Sequence, residues 1–193
     1  MNEKDKLEES TIRLLLEQED FDEHYGFKDV MDNLYKYLIN SLEKVLPDMQ
    51  IKDEPEIKGE HRAEIMSKLV EVKPDVYKYL SIDIKMSLPY ERSNDWDARS
   101  RYTLQASADI KETSDKEVNI YNLTGEGYTI TNGIKDAYFY IETHRTSDEE
   151  IRAKRFKKLE ASKQKIDEFV QIIAKSYKNI DKLKIASIND IFE

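Results

Sequence analysis

The sequence has no cysteine, and its five glycines and four prolines are few for 193 residues. The lack of cysteine excludes disulfides, thiolate metal sites and cysteine nucleophiles, and it fits a reducing compartment. Scarce glycine and proline favour long regular elements. No apolar run approaches the roughly 18 residues that a membrane span needs, and residues 1–10 lack the apolar stretch of a signal peptide. These features predict a cytoplasmic protein that does not contact membranes.

Charge is distributed unevenly along the chain. Residues 1–60 contain 17 acidic and 8 basic side chains, whereas residues 61–193 contain 23 of each, so the first third carries the whole formal net charge of −9. This division predicts an acidic helical N-terminal segment over 1–60. It also predicts an antiparallel sheet plus a long C-terminal helix over 61–193, with both parts in one compact domain.

Two segments alternate between apolar and polar residues without an error. From residue 80 to 88 and from 102 to 110, every second residue is apolar and the residues between are polar. Such strands bury one face and leave the other in water. Further strands are predicted at 69–73, 117–123 and 136–143, with a tight turn at Asn132-Gly133.

Helical spacing of apolar residues predicts one short helix over 9–21, a break at His24-Tyr25-Gly26, and a second helix over 28–46 that ends at Pro47. Residues 48–60 are predicted to form a loop, and residues 60–68 a short helix.

A capping box at residues 147–150 opens the longest predicted helix, which continues to about Lys178. Its apolar positions follow a heptad seam with one charged interruption at Lys163. The seam predicts a helix lying on the sheet, which can also pair with a second copy of itself. The apolar tail at 185–192 is expected to dock on the protein. The predicted fold class is α+β, with N-terminal helices, an antiparallel meander of four to five strands and a long C-terminal helix packed on the sheet.

Asp83-Ile84-Lys85 lies on an amphipathic strand, with Pro74-Asp75 eight positions before Asp83. This pattern resembles the PD-(D/E)xK signature of metal-dependent nucleases. The resemblance implies that Asp75 and Asp83 share Mg²⁺ while Lys85 stabilises the attacking water or the phosphate. Pro47-Asp48 with Glu71-Val72-Lys73 is a second match to the signature. The alternative is that Asp83 and Lys85 are two charges on a solvated face.

The basic stretch 152–165 has seven cationic side chains and one acidic residue, Glu160. Nucleic acid is a possible partner of such a stretch. The chain is acidic, and Phe156, the one interleaved aromatic residue, fits the buried seam. Both observations instead favour a solvated helix face or a contact with the acidic N-terminus.

Candidate interaction residues occur on a loop and on the predicted helix. Those on the loop 90–100 belong to types enriched at binding hot spots, and they are Arg92, Trp96 and Arg99. Those on the helix belong to the basic stretch, and they are Arg152, Arg155 and Lys158. Three tyrosines, Tyr121, Tyr138 and Tyr140, are expected opposite the core face of the sheet. The three histidines lack metal-ligand spacing. No cofactor or metal site is predicted.

These observations lead to several functional hypotheses. The first is a non-enzymatic interaction or assembly protein, an adaptor, chaperone-like protein or inhibitor that self-associates or binds a protein partner, of a kind found in phages and other mobile elements. The second is the Mg²⁺-dependent nuclease. The third is an acidic nucleic-acid mimic that uses residues 1–60. A meander followed by a long helix, with the predicted strand over 118–130, also resembles SecB-type export chaperones, which implies a chaperone function.

Overall fold

The computed structural model describes residues 23–57, 59–89, 100–121, 130–146 and 148–182. Along the described chain the elements are helix α1 (Glu23–Val45), strands β1 (Gln50–Asp53), β2 (Glu60–Met66), β3 (Val70–Lys73), β4 (Val76–Ser87), β5 (Arg101–Thr113) and β6 (Ile130–His144), and helices α2 (Glu149–Ala161) and α3 (Lys163–Lys178). This order confirms the predicted α+β class, with an N-terminal helix, an antiparallel sheet and C-terminal helices packed on it.

The strands form one antiparallel sheet in the order β1-β2-β4-β5-β6, and β3 pairs with the part of β4 that β2 does not reach. The long central strand β4 is in register with β5, so that Ile82 lies opposite Ala108 and Ile84 opposite Ala106. All four side chains are buried. The alternation in the sequence therefore corresponds to a buried face, here called the inner face, and a polar outer face.

Helices α1 and α3 cover the inner face. The apolar stripe of α1 is buried at the helical spacing predicted from the sequence, and the helix ends before Pro47 as expected. Phe169 of α3 packs edge-to-face on Phe139 of β6, with ring centroids 5.3 Å apart. The Tyr37 hydroxyl donates a hydrogen bond of 2.6 Å to Asp167, which joins α1 to α3. None of the described helices has both the length and the apolarity that crossing a bilayer requires.

The prediction of one continuous C-terminal helix is wrong in one respect, because the helix divides at Ser162 into α2 and α3. The Ser162 hydroxyl donates to the carbonyl of Lys158, and the Ser162 amide bonds to Leu159. A hydroxyl bonded to the preceding turn commonly bends a helix. Asp148 caps α2 by accepting from the Ile151 amide. The heptad seam is buried at Leu159, Ile166, Val170 and Ile173, so those side chains pack inside the chain and are not available to a second copy.

Three predictions for the N-terminal half are wrong. The break expected at residues 24–26 lies within α1, where Gly26 has a packing role: a Cβ there would lie 3.1 Å from Cζ of Phe156. The loop expected over 48–60 contains β1, and the helix expected over 60–68 is β2. Ala63 and Ile65 of β2 are opposite Ile84 and Ile82, and this pairing overrides the local helical tendency of the segment.

A further prediction, for the region between β5 and β6, is also wrong. Residues 117–121 of the strand predicted over 117–123, here called the covering segment, consist of turns and irregular backbone. Val118 and Ile120 pack on Met66 and Tyr79 to form a small second core, so apolar residues there cover part of the outer face.

Asn132-Gly133 lies inside β6 and is not the tight turn that the sequence predicts. Gly133 pairs with Asp109, and the irregularity comes next, where residues 134–137 lie opposite Ala108 alone. Asp136 takes a positive φ of 64° in this bulge. The predicted helix 9–21, the loop 90–99 and the tail 185–192 lie outside the described residues.

Replacing Ile173 with alanine tests the packing of α3 on the sheet. Ile173 is fully buried, so Ile173→Ala should lower the free energy of unfolding by about 2–5 kcal/mol. The measurement is urea denaturation followed by circular dichroism. Gln171→Ala, at an exposed position of the same helix, should change it by less than about 0.5 kcal/mol. Equal effects of the two substitutions would contradict the packing.

Candidate functional site

The outer face of the sheet has a shallow concavity of about 290 Å³ beside the covering segment. Strands β2, β4, β5 and β6 form its floor. We call it the sheet concavity. Its polar lining consists of Glu54, Arg62, Glu64, Asp83, Lys85, Gln105, Ser107 and Tyr138. Strand alternation places these side chains here, because their apolar neighbours face α1 and α3.

Like charges lie directly opposite each other in this concavity. Glu64 of β2 pairs with Asp83 of β4, and two residues along, Arg62 pairs with Lys85. Directly opposed like charges destabilise a strand pair, whereas opposite charges stabilise it. The sheet concavity therefore has an acidic pair and a basic pair side by side, an arrangement that strand stability alone does not favour.

Neighbouring residues compensate part of this repulsion. Glu60 binds both basic side chains, with Lys85 Nζ at 2.7 Å and the Arg62 guanidinium as its second partner. The hydrogen bond from Lys85 is the main cause that holds the pKa of Glu60 below its ordinary value of 4.5. On the acidic side, Lys52 Nζ lies 3.9 Å from Glu64. Asp83 is exposed and forms no ion pair with any residue that the structure describes.

A second polar group follows β6 on the same face. The Tyr140 hydroxyl donates to Glu142, and His144 Nε2 lies 2.8 Å from the other Glu142 oxygen. The Tyr140 bond and then the His144 contact lower the pKa of Glu142. Burial is the first cause that raises the pKa of Tyr140 to about 12. At neutral pH Glu142 is thus a carboxylate and Tyr140 a phenol.

These pKa shifts bear on the chemistry that the face can perform. An efficient general acid or base has a pKa near the working pH. The shifts of Glu60, Glu142 and Tyr140 all move the pKa values of these groups away from neutrality. These three groups are therefore poorly suited to act as a general acid or base at neutral pH.

The structure separates the two carboxylates of the predicted nuclease site. Asp75 lies in the two-residue turn between β3 and β4 with a φ of 57°, and Asp83 lies eight residues along β4. At about 3.3 Å per strand residue their Cα atoms are roughly 26 Å apart, too far for the two carboxylates to share one ion. Asp83 and Lys85 share the outer face, as the strand period predicts.

The second match to the nuclease signature also has different surroundings from those of a metal site. Asp48 lies 3.8 Å from Lys68 Nζ, whereas Glu71 and Lys73 are exposed on β3. Within the described ranges, no three His, Asp or Glu side chains are grouped as ligands for a metal ion.

The other predicted site residues fall into two groups. Arg92, Trp96 and Arg99 lie outside the described residues. Arg152, Arg155 and Lys158 are on α2, where Arg155 Nη1 donates to the carbonyls of His144 and Arg145 and so holds α2 to the end of β6. Of the three tyrosines expected opposite the core face, Tyr121 and Tyr138 are exposed and Tyr140 is half-buried.

Several carboxylates in the described part of the acidic N-terminal segment form ion pairs. Among the side chains that the structure describes in residues 26–60, those of Asp32, Asp48, Glu54 and Glu60 form ion pairs with lysine or arginine. A nucleic-acid mimic needs unpaired negative charges, and that hypothesis stays a prediction, because many of the acidic residues of 1–60 precede the described side chains. The side chains of residues 17–25 lie outside the described part.

The ion pair between Glu60 and Lys85 predicts how stability depends on pH. Because the folded-state pKa of Glu60 is depressed, its contribution is present above the unfolded-state pKa and is lost as pH falls through the folded value. The difference in unfolding free energy between wild type and Glu60→Gln should be largest near pH 7, less than about 1 kcal/mol, and should shrink below pH 4.5. Urea titrations at several pH values measure it. A difference that stays constant across this pH range would contradict the assignment.

Comparisons of this sequence with protein-family models and with curated proteins give no match. The function must therefore be inferred from the side chains themselves. In the sheet concavity, a pair of two acidic residues lies beside a pair of two basic residues.

Proposed function

We propose that this chain is a non-enzymatic assembly protein and that the sheet concavity is its interaction surface, with a second copy of the chain as the occupant. The observation that supports the proposal is the register of Glu64 with Asp83 beside that of Arg62 with Lys85. An acidic pair next to a basic pair is complementary to itself.

A two-fold interface uses such a surface directly. In a symmetric dimer, if residue i contacts residue j, then j also contacts i. The two pairs are about 7 Å apart along the strands. A two-fold axis that lies between them in the interface plane, perpendicular to the strands, places Asp83 opposite Lys85 of the second copy, and Glu64 opposite Arg62. The repulsion within each strand pair is then relieved across the interface.

Exposed aromatic side chains near the charged pairs support an interface. Tyr138 lines the concavity with 58% of its surface exposed, and Tyr121 on the covering segment is 75% exposed. Tyrosine provides apolar area and a hydroxyl with only two rotatable bonds to order, and interfaces are enriched in it. Because charge contributes to recognition, added salt should weaken the association.

Adaptor, chaperone-like and inhibitor roles all use an assembly surface of this kind, and each remains a proposal within the same class. A cytoplasmic location, expected from the sequence, belongs to the proposal as well. The origin in a phage or mobile element stays a prediction from composition.

Paired charge reversals test the proposed dimer. Wild type should sediment as a dimer at tens of micromolar. Asp83→Lys and Lys85→Asp should each weaken self-association by at least about 100-fold, because each puts like charges opposite one another across the interface. An equimolar mixture of the two variants should regain the dimer, since the two lysines of the first variant then lie opposite the two aspartates of the second.

Glu43→Lys provides the matched control, because it reverses one charge at an exposed position of α1 and should leave the dimer intact. Circular dichroism checks that each variant is folded. A monomeric wild type, variants that still associate, or a mixture that stays monomeric would each contradict the proposal.

A further inference from the structure

A second cleft, of about 190 Å³, lies where the outer edge of β6 meets α2 and α3. We call it the edge cleft. Its charged lining is Glu142, Arg155, Lys158 and Lys165, and its uncharged polar lining is Tyr140, Thr143 and Ser162. The cleft is lined by residues other than those of the sheet concavity, so a ligand there is independent of the proposed dimer.

Two of the three cations are held in place by the edge of the sheet. Lys165 Nζ donates to the carbonyl of Tyr140 at 3.2 Å, and Arg155 Nη1 donates to the carbonyls of His144 and Arg145. A strand edge presents carbonyls that natural proteins often cover with charged side chains. This role explains Arg155 and Lys165 and fixes the positions of both head groups.

Edge protection does not explain Lys158. It projects from α2 on the same stripe as Arg155 and Lys165, at spacings of three and seven residues, and it lines the cleft. It is exposed and forms no ion pair with any described residue. Three cations in so small a space repel one another, on a chain whose formal net charge is −9.

The one acidic group that lines the cleft among the described residues is already occupied. One Glu142 oxygen accepts from the Tyr140 hydroxyl, and the other lies beside His144 Nε2. These bonds direct the carboxylate to its neighbours on β6. Three positive groups against one negative group leave the cleft with a formal charge of about +2.

We infer that the edge cleft binds an oxyanion of the phosphate class. Sites for whole small molecules usually measure about 300–1,000 Å³, so 190 Å³ fits one tetrahedral group rather than a complete cofactor. Arg155, Lys158 and Lys165, which line the cleft from the helices, supply the charge-assisted hydrogen bonds that phosphate oxygens accept. The phosphate is either a free ion or the exposed end of a phosphate monoester.

Titration of the full-length protein with inorganic phosphate tests the inference. The titration uses calorimetry, with chloride replaced so that ionic strength stays constant. Lys158→Gln should raise the phosphate Kd by about 10-fold or more, the loss expected for one charge-assisted bond. Lys157→Gln removes the same charge from an exposed neighbouring position that does not line the cleft, and it should change the Kd by less than about 2-fold. Lys158 is exposed, so its replacement should leave the fold intact.

A parallel titration with a nucleoside monophosphate distinguishes the two sources of the phosphate. Tighter binding than that of inorganic phosphate assigns a monoester, and equal or weaker binding assigns the free ion. No saturable binding of either probe, or an equal loss in the Lys157→Gln and Lys158→Gln variants, would overturn the inference.

Discussion

The pairing register of β4 is the constraint on which the rest of this structure depends. β4 contacts β2 and β3 on one side and β5 on the other, and side chains alternate between faces with a period of two. A slip of one residue would turn the inward-facing side chains of Leu80, Ile82, Ile84 and Met86 to the outer face. The native register instead brings Ile82 between Ile65 and Ala108, under α1 and α3. Burial of this shared face holds the helices and the sheet together.

The same register creates the outer face. It aligns Glu64 with Asp83 and Arg62 with Lys85 because the apolar residues between them must face inward. The repulsion within the like-charge pairs is thus outweighed by burial of the core, which requires this alignment. Glu60 and Lys52 offset part of the repulsion, and the remainder is available to a complementary surface. The stability of the inner face and the charge pattern of the outer face therefore have one structural cause.

Parts of this arrangement are predictable from the sequence because their signals are local. The error-free alternation of β4 and β5, the seam on α3 and the stripe of α1 each repeat within one segment. β2 is not predictable in the same way, since its short alternation competes with a helical tendency that only the pairing with β4 overrides. Gly26 resembles a helix break in the sequence. Its packing role is not visible there, because the contact is with Phe156 in a distant part of the chain.

The candidate site is less accessible to sequence reasoning than the fold. Asp83 and Lys85 are identifiable as polar residues on one face. Their opposition to Glu64 and Arg62 depends on the register between strands about 20 residues apart, and a single sequence carries no direct signal of it. The division at Ser162 and the edge cleft depend likewise on where the helices meet β6. Distant pairing, rather than residue type, defines both proposed surfaces.

Interstrand nuclear Overhauser contacts in isotopically labelled protein test the register most directly. We predict backbone contacts between Glu64 and Asp83 and between Ile82 and Ala108. Contacts of Asp83 with Ala63 or Ile65 as its direct partner would place the wrong face inward and contradict the register on which both surfaces depend.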